Sequence, residues 1–239
     1  MKLKKIASLA LAGIMAVSML AGCSTTSVDP EPTPNPGDDE PTVSGYSQML
    51  YNHLSYTAKK KVEPQDSNDV NDALATAMEY AAGNTIAGSY DDYIDGDTHP
   101  VNGSWGGNFD LVPDSLKNGA KALIRELGAD NKVGMSLDVT FDVLDPDNVN
   151  YNRDDMNISM LFVADGLKGK EAVMDEIADL IDTEVNLLQD DFDLFDNDRD
   201  DDSMNTDYEY TMSVAADTIT LDADHGKSMT FVAVNIARV

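Results

Sequence analysis

Along residues 43–239 the spacing of apolar side chains switches from helical to alternating, back to helical, and to alternating again. That order limits the fold more than any other feature of the chain, because a period near 3.6 and a period of 2 cannot be exchanged. Tyr46, Met49, Leu50, His53 and Leu54 share one helical face, and Lys59, Lys60 and Lys61 follow where they suit the negative end of that helix. Val70, Ala73, Leu74, Ala77, Met78 and Ala81 predict a second helix. Leu116, Ala120, Leu123, Ile124 and Leu127 predict a third, opened after Pro113 and stopped by Gly128. Then "VGMSLDVTFDV", Val133 to Val143, alternates, as do Met156, Ile158, Met160, Phe162 and Ala164; the two segments predict a hairpin. A helix over about Lys168 to Leu188 comes next. Strands are expected over Tyr208–Ala215, Thr218–Asp222 and Met229–Arg238. The expected fold is α+β: a two-layer domain with an antiparallel sheet of about five strands and helices packed on one face.

The 42 residues before this domain read differently. Lys2, Lys4 and Lys5 precede an uncharged apolar run, Ile6 to Leu20, too short for a confident membrane span and flanked like a secretory signal. It ends in Leu20-Ala21-Gly22-Cys23, which resembles the lipobox of bacterial lipoprotein signals. The resemblance covers residues 1–23 only. It implies cleavage before Cys23, a diacylglycerol thioether on its thiol, and localisation at the cell membrane facing outside the cytoplasm. Cys23 is the only cysteine, so there is no disulfide framework, and several acyl chains on one residue would hold the protein far better than one. Ser24 to Thr42 contains five prolines and almost nothing apolar. It cannot build a core, and as an extended spacer it reaches about 60 Å. The expected organisation is a signal peptide over 1–22, a lipidated Cys23 with a Pro-rich linker to residue 42, and one acidic domain over 43–239.

Charge narrows the partners. The net charge is −28, and loss of the signal's three lysines takes it to −31. Such a chain repels nucleic acid, and it meets a membrane through the lipid at Cys23, not through its surface. Whether its partner is a small molecule or a protein is left open.

Three candidate sites arise. Gln189 to Asp207 holds nine aspartates and begins a loop with Asp196, Asp198 and Asp200, an alternation able to place carboxylates on calcium, with Asp202 nearby. The match to an EF-hand loop fails at its sixth position, Asp201, where glycine is required, and at its twelfth, Asp207, where a bidentate Glu belongs. A looser calcium site competes there with a merely solvated acidic connector. Ser89 to Val112 is long and glycine-rich and carries Tyr90, Tyr93, Trp105 and Phe109 beside Asp and Asn, a composition suited to stacking on a sugar or to capping the core. Catalysis has no nominee. His53, His99 and His225 lack metal-ligand spacing, His53 reads as a packed residue, and nucleophile-elbow, zinc-protease, phosphate-loop and dinucleotide motifs are absent. The leading expectation is a lipid-anchored lipoprotein with a non-catalytic binding or interaction domain. The competing ones are a surface hydrolase acting on glycans and a calcium-dependent structural module.

Overall fold

The computed structural model describes residues 45–82, 96–101, 112–145, 156–189, 191–192, 206–222 and 227–239. One of its inner strands is β3, over Asn157–Asp165, whose residues 158–164 are all buried. Such a strand must be covered on both faces. Ile158, Met160, Phe162 and Ala164 enter one apolar cluster, and Leu161 and Val163 enter another. β7, Lys227–Arg238, divides in the same way: Val232, Val234 and Ile236 join the first cluster, and Met229, Phe231 and Ala233 the second.

Two helical layers cover these faces. The first contains α1 (Tyr46–His53) and α5 (Lys170–Asn186), which buries Val173, Met174, Ile177, Ala178, Ile181 and Val185. The second pairs α2 (Asn68–Ala82) with α3 (Asp114–Glu126). Each carries the apolar stripe its sequence predicts, at three- and four-residue spacing. Ser67 accepts the Val70 N–H at the start of α2. At the end of α3, Gly128 has φ 60°, and its N–H and that of Ala129 return to Arg125 and Ile124, a Schellman closure. The expectation of helices on one face is therefore corrected: the sheet lies between two helical layers.

The sheet has five strands in the order β1-β6-β7-β3-β2, where β1 is Glu63–Pro64, β2 is His99–Pro100 and β6 is Tyr210–Asp222. Its long pairs, β6 with β7 and β7 with β3, are antiparallel, as is β2 with β3. β1 runs parallel to β6, so the sheet is mixed and not wholly antiparallel. Two further expectations change. Val133–Val143 forms turns and a short helix, α4 (Leu137–Phe141), not a strand. Gly134 at φ 97° breaks the extended path, and Thr140 and Phe141 bury on one side of the helical turn. The strands expected over 208–215 and 218–222 are one strand, because Ala216 and Asp217 continue the ladder opposite Val232 and Phe231.

Both sheet edges end in proline. The Gln65 N–H bonds inward to the Met212 carbonyl, so alternation turns the position of Pro64 outward. The Val101 N–H bonds inward to Leu161, which turns Pro100 outward in the same way. Neither edge offers a backbone donor at that position, a local block to strand addition. Beyond β2, side chains replace a neighbouring strand. The buried Asn131 amide donates to the Ser159 carbonyl and accepts its N–H, both at 2.9 Å, while Asp130 accepts the Asn157 N–H. A small separate ladder pairs β4 (Asp191–Phe192) with β5 (Thr206–Asp207), joining the two ends of the acidic stretch.

Candidate functional site: a lysine and tyrosine groove

The sequence places three lysines in a row, and local structure fixes where they stand. Ala58 and Val62 are buried in the core and pin a 3-10 turn, Ala58–Lys60, against the first helical layer. Ser55 supports that turn: its hydroxyl accepts the Ala58 N–H, and its own N–H donates to Asp182 of α5 at 2.7 Å. The Lys59 ammonium donates to the Asn52 carbonyl, answering the negative end of α1 as its position implied. It lies 5.8 Å from the centre of the Tyr51 ring, and the Tyr51 hydroxyl donates back to the Lys59 carbonyl at 3.2 Å. Lys60 lies 4.4 Å from the centre of the Tyr56 ring, and Tyr56 is 75% exposed.

These groups edge a groove of about 610 Å³ lined by Gln48 and Tyr51 of α1, Lys59–Lys61, Val62, β1, and Tyr208, Glu209 and Tyr210. Tyr208 and Tyr210 are held from below. Tyr210 donates its hydroxyl to the Gln189 carbonyl at 2.8 Å. Behind Tyr208 sits Arg238, 1% exposed, its guanidinium 4.5 Å from the ring centre and donating to the Leu144 carbonyl. The three lysines give the groove a positive field. Glu63 and Glu209 offset part of it.

Two other clusters bear on the sequence expectations. Near β2, Glu176 of α5 accepts Thr98 Oγ1 at 2.6 Å and the Lys168 ammonium, which also donates to the Gly96 carbonyl. Burial pushes the Glu176 carboxyl up, but the hydrogen bonds from Lys168 and Thr98 and the ammonium's charge outweigh it and hold it below the ordinary range. A carboxylate lowered on folding contributes stability that is complete above about pH 4.3 and lost as pH falls through the folded value. In thermal melts, wild type should therefore exceed Glu176→Gln at pH 7, with the gap narrowing as pH falls below about 4; a constant gap would contradict this role. At the other end of α5, burial pushes the Glu184 carboxyl up, and the charges of Asp138 and Asp142 push the same way. Asp138 itself is held low by hydrogen bonds from the Ser136 hydroxyl and the Val139 N–H.

His53 is half-packed, as expected, but it is also bound. Its ring nitrogens lie 2.9 Å from Asp175 and 3.0 Å from Glu171, clamping the end of α1 to α5. His99 is buried in β2. Cys23, the aromatic candidates Tyr90, Tyr93, Trp105 and Phe109, and the acidic candidates Asp196, Asp198, Asp200 and Asp202 all lie outside the described residues, as does His225. Among the described residues no group of three or more His, Cys, Asp or Glu side chains is placed to hold a metal ion, and no helix is long and apolar enough to cross a membrane.

The groove was missed in the sequence because Tyr208 and Tyr210 stand some 150 positions from the lysines, and only the β1–β6 pairing brings them together. Comparison with protein-family models, curated proteins and solved structures finds no match.

Proposed function

We propose that this protein is a lipid-anchored lipoprotein facing outside the cytoplasm, and that its domain is a non-catalytic binding module working through the lysine and tyrosine groove. The groove is the observation that carries the reading. A chain of net charge −28 holds three consecutive lysines around one concave, tyrosine-lined surface. Cations scattered among carboxylates would serve solubility; cations gathered in a concavity with aromatic faces serve recognition. The anchoring half rests on the basic start, apolar run and Leu20-Ala21-Gly22-Cys23, and on a Pro-rich spacer able to stand the domain about 60 Å from the bilayer.

Each half has its own test. Cys23→Ser is expected to move the protein from the membrane pellet to the soluble fraction; unchanged retention would refute the lipid anchor. For the module, hydrogen exchange of the released protein in an envelope extract should slow over residues 46–64 and around 208–210. Exchange unchanged across both segments would refute the groove as the binding surface.

A further inference from the structure

We infer that the groove takes an acidic glycan, a sugar chain bearing carboxylates along its length; this rests on reading the domain as a binding module. Charge comes first. Repulsion by the −28 chain is long-ranged, but at 0.15 M salt the Debye length is about 8 Å, so an anion in the groove interacts chiefly with the groups beside it. Those groups are Lys59, Lys60 and Lys61, with the carboxylates Glu63 and Glu209 opposing.

The arrangement of the cations selects an extended anion. Successive residues of a 3-10 turn project about 120° apart. The Lys59 ammonium is drawn to the Asn52 carbonyl and that of Lys60 lies over the Tyr56 ring, so the lysines do not converge on a single phosphate. Anions spaced along a polymer answer that spread. The lining supplies a surface for sugar rings as well. Tyr51, half-buried, borders the groove, and the exposed Tyr56 stands beside Lys60, whereas Tyr208 is buried against Arg238 and only closes the wall. A tyrosine face receives the C–H face of a pyranose, and Gln48 can meet its hydroxyls. An acidic peptide fits less well. The wall formed by β1 turns Pro64 outward, so an extended peptide finds no backbone donor there to build a strand on. Nucleic acid is disfavoured because its binding rests on neutralising closely spaced phosphates, and this groove sets three lysines against two carboxylates on a very acidic chain.

The charge balance gives the glycan a distinctive salt profile. Lowering salt to 0.01 M extends the Debye length to about 30 Å and exposes the ligand to the whole acidic surface. Affinity should therefore rise from 0.01 M to about 0.1 M salt and fall again at higher salt as the groove itself is screened.

The experiment uses the full chain released by Cys23→Ser, in affinity electrophoresis at 0.15 M salt through gels containing polygalacturonate, polyglutamate or dextran. Polygalacturonate is expected to retard the protein, with polyglutamate much weaker and dextran inert. Lys59→Gln/Lys60→Gln/Lys61→Gln should weaken retardation roughly ten-fold, on the scale of a few exposed charge contacts. Because Lys59 also supports α1, Lys60→Gln/Lys61→Gln is run beside it and should retain most of that loss with an unchanged melting temperature. Tyr56→Ala should weaken retardation without altering the fold. Lysine-dependent binding of polyglutamate as strong as that of polygalacturonate would overturn the glycan and leave the binding module standing. Retardation indifferent to the lysines, or none at all, would also overturn the glycan. The module reading is judged separately by exchange over 46–64.

Discussion

Replacing Asn131 with leucine is expected to lower the stability of the domain by about 3 kcal/mol, as two buried peptide groups each lose a partner. Asn131 is 2% exposed, and leucine has the same branched skeleton in a larger volume, so the change leaves no cavity. Its effect falls on Ser159. That residue turns its N–H and carbonyl away from β7 and toward the Asn131 amide, which answers both at 2.9 Å. The side chain thus acts as one residue of a missing strand, beyond the point where the two-residue β2 runs out. Asn131→Asp sharpens the test. It keeps an acceptor for the Ser159 N–H but sets a carboxylate against the Ser159 carbonyl, so it should be destabilised at neutral pH and recover in acid. Urea unfolding would show a lower midpoint with an unchanged slope. A loss below about 0.5 kcal/mol for the leucine variant would mean that water or a neighbour replaces the amide.

The second large effect concerns the layer on the other side of β3. At Gly119 of α3 an added Cβ would lie 2.9 Å from the Ala77 carbonyl oxygen and 3.1 Å from the Ala81 Cβ, both on α2. Alanine is the better helix former by about 1 kcal/mol, which by itself predicts stabilisation. The close approach of the two helices reverses the sign. Backbone oxygen cannot rotate away, so α2 and α3 must separate, and overpacking of this kind costs about 1–3 kcal/mol. Gly119→Ala should lower the melting temperature, and Gly119→Leu should lower it further or prevent folding. A raised melting temperature for Gly119→Ala would show that the helix pair has slack.

How far this fold could be read in advance depends on which periods were unambiguous. α2, α3 and α5 each repeat an apolar stripe over three or more turns, and all three stand where the spacing put them. Leu137 to Leu144 satisfies both periods over a short window, and there Gly134 at positive φ decides against the strand. The second helical layer was hidden in plain residues. Leu161 and Val163 are apolar between the residues assigned to one face, and Phe231 and Ala233 do the same in β7. Asn157, Ser213 and Asn235, at one end of the sheet, gave its second face a polar look. The two-residue strands β1 and β2 carry no periodic signal at all; pairing defines them.

The site was legible only in halves. Three adjacent lysines are obvious in the sequence, but their local role at the end of α1 explained them fully until the fold set Tyr208 and Tyr210 beside them. Arg238, at the far end of the chain, gave no hint that it is buried beneath one of those rings. Of the acidic stretch the structure describes only the ends, where Asp191–Phe192 pairs with Thr206–Asp207 in a small ladder of its own.

The claim that a membrane-held domain offers a cationic, tyrosine-lined groove to an acidic glycan is tested most directly on membranes. Washed, disrupted membranes from cells producing wild type, Cys23→Ser or Lys59→Gln/Lys60→Gln/Lys61→Gln would be incubated with labelled polygalacturonate at 0.15 M salt. Wild-type membranes should retain the label. Cys23→Ser membranes should not, because the protein has left them, and triple-lysine membranes should carry the protein yet retain roughly one-tenth of the label. Equal retention by wild-type and triple-lysine membranes at equal protein content would contradict the account.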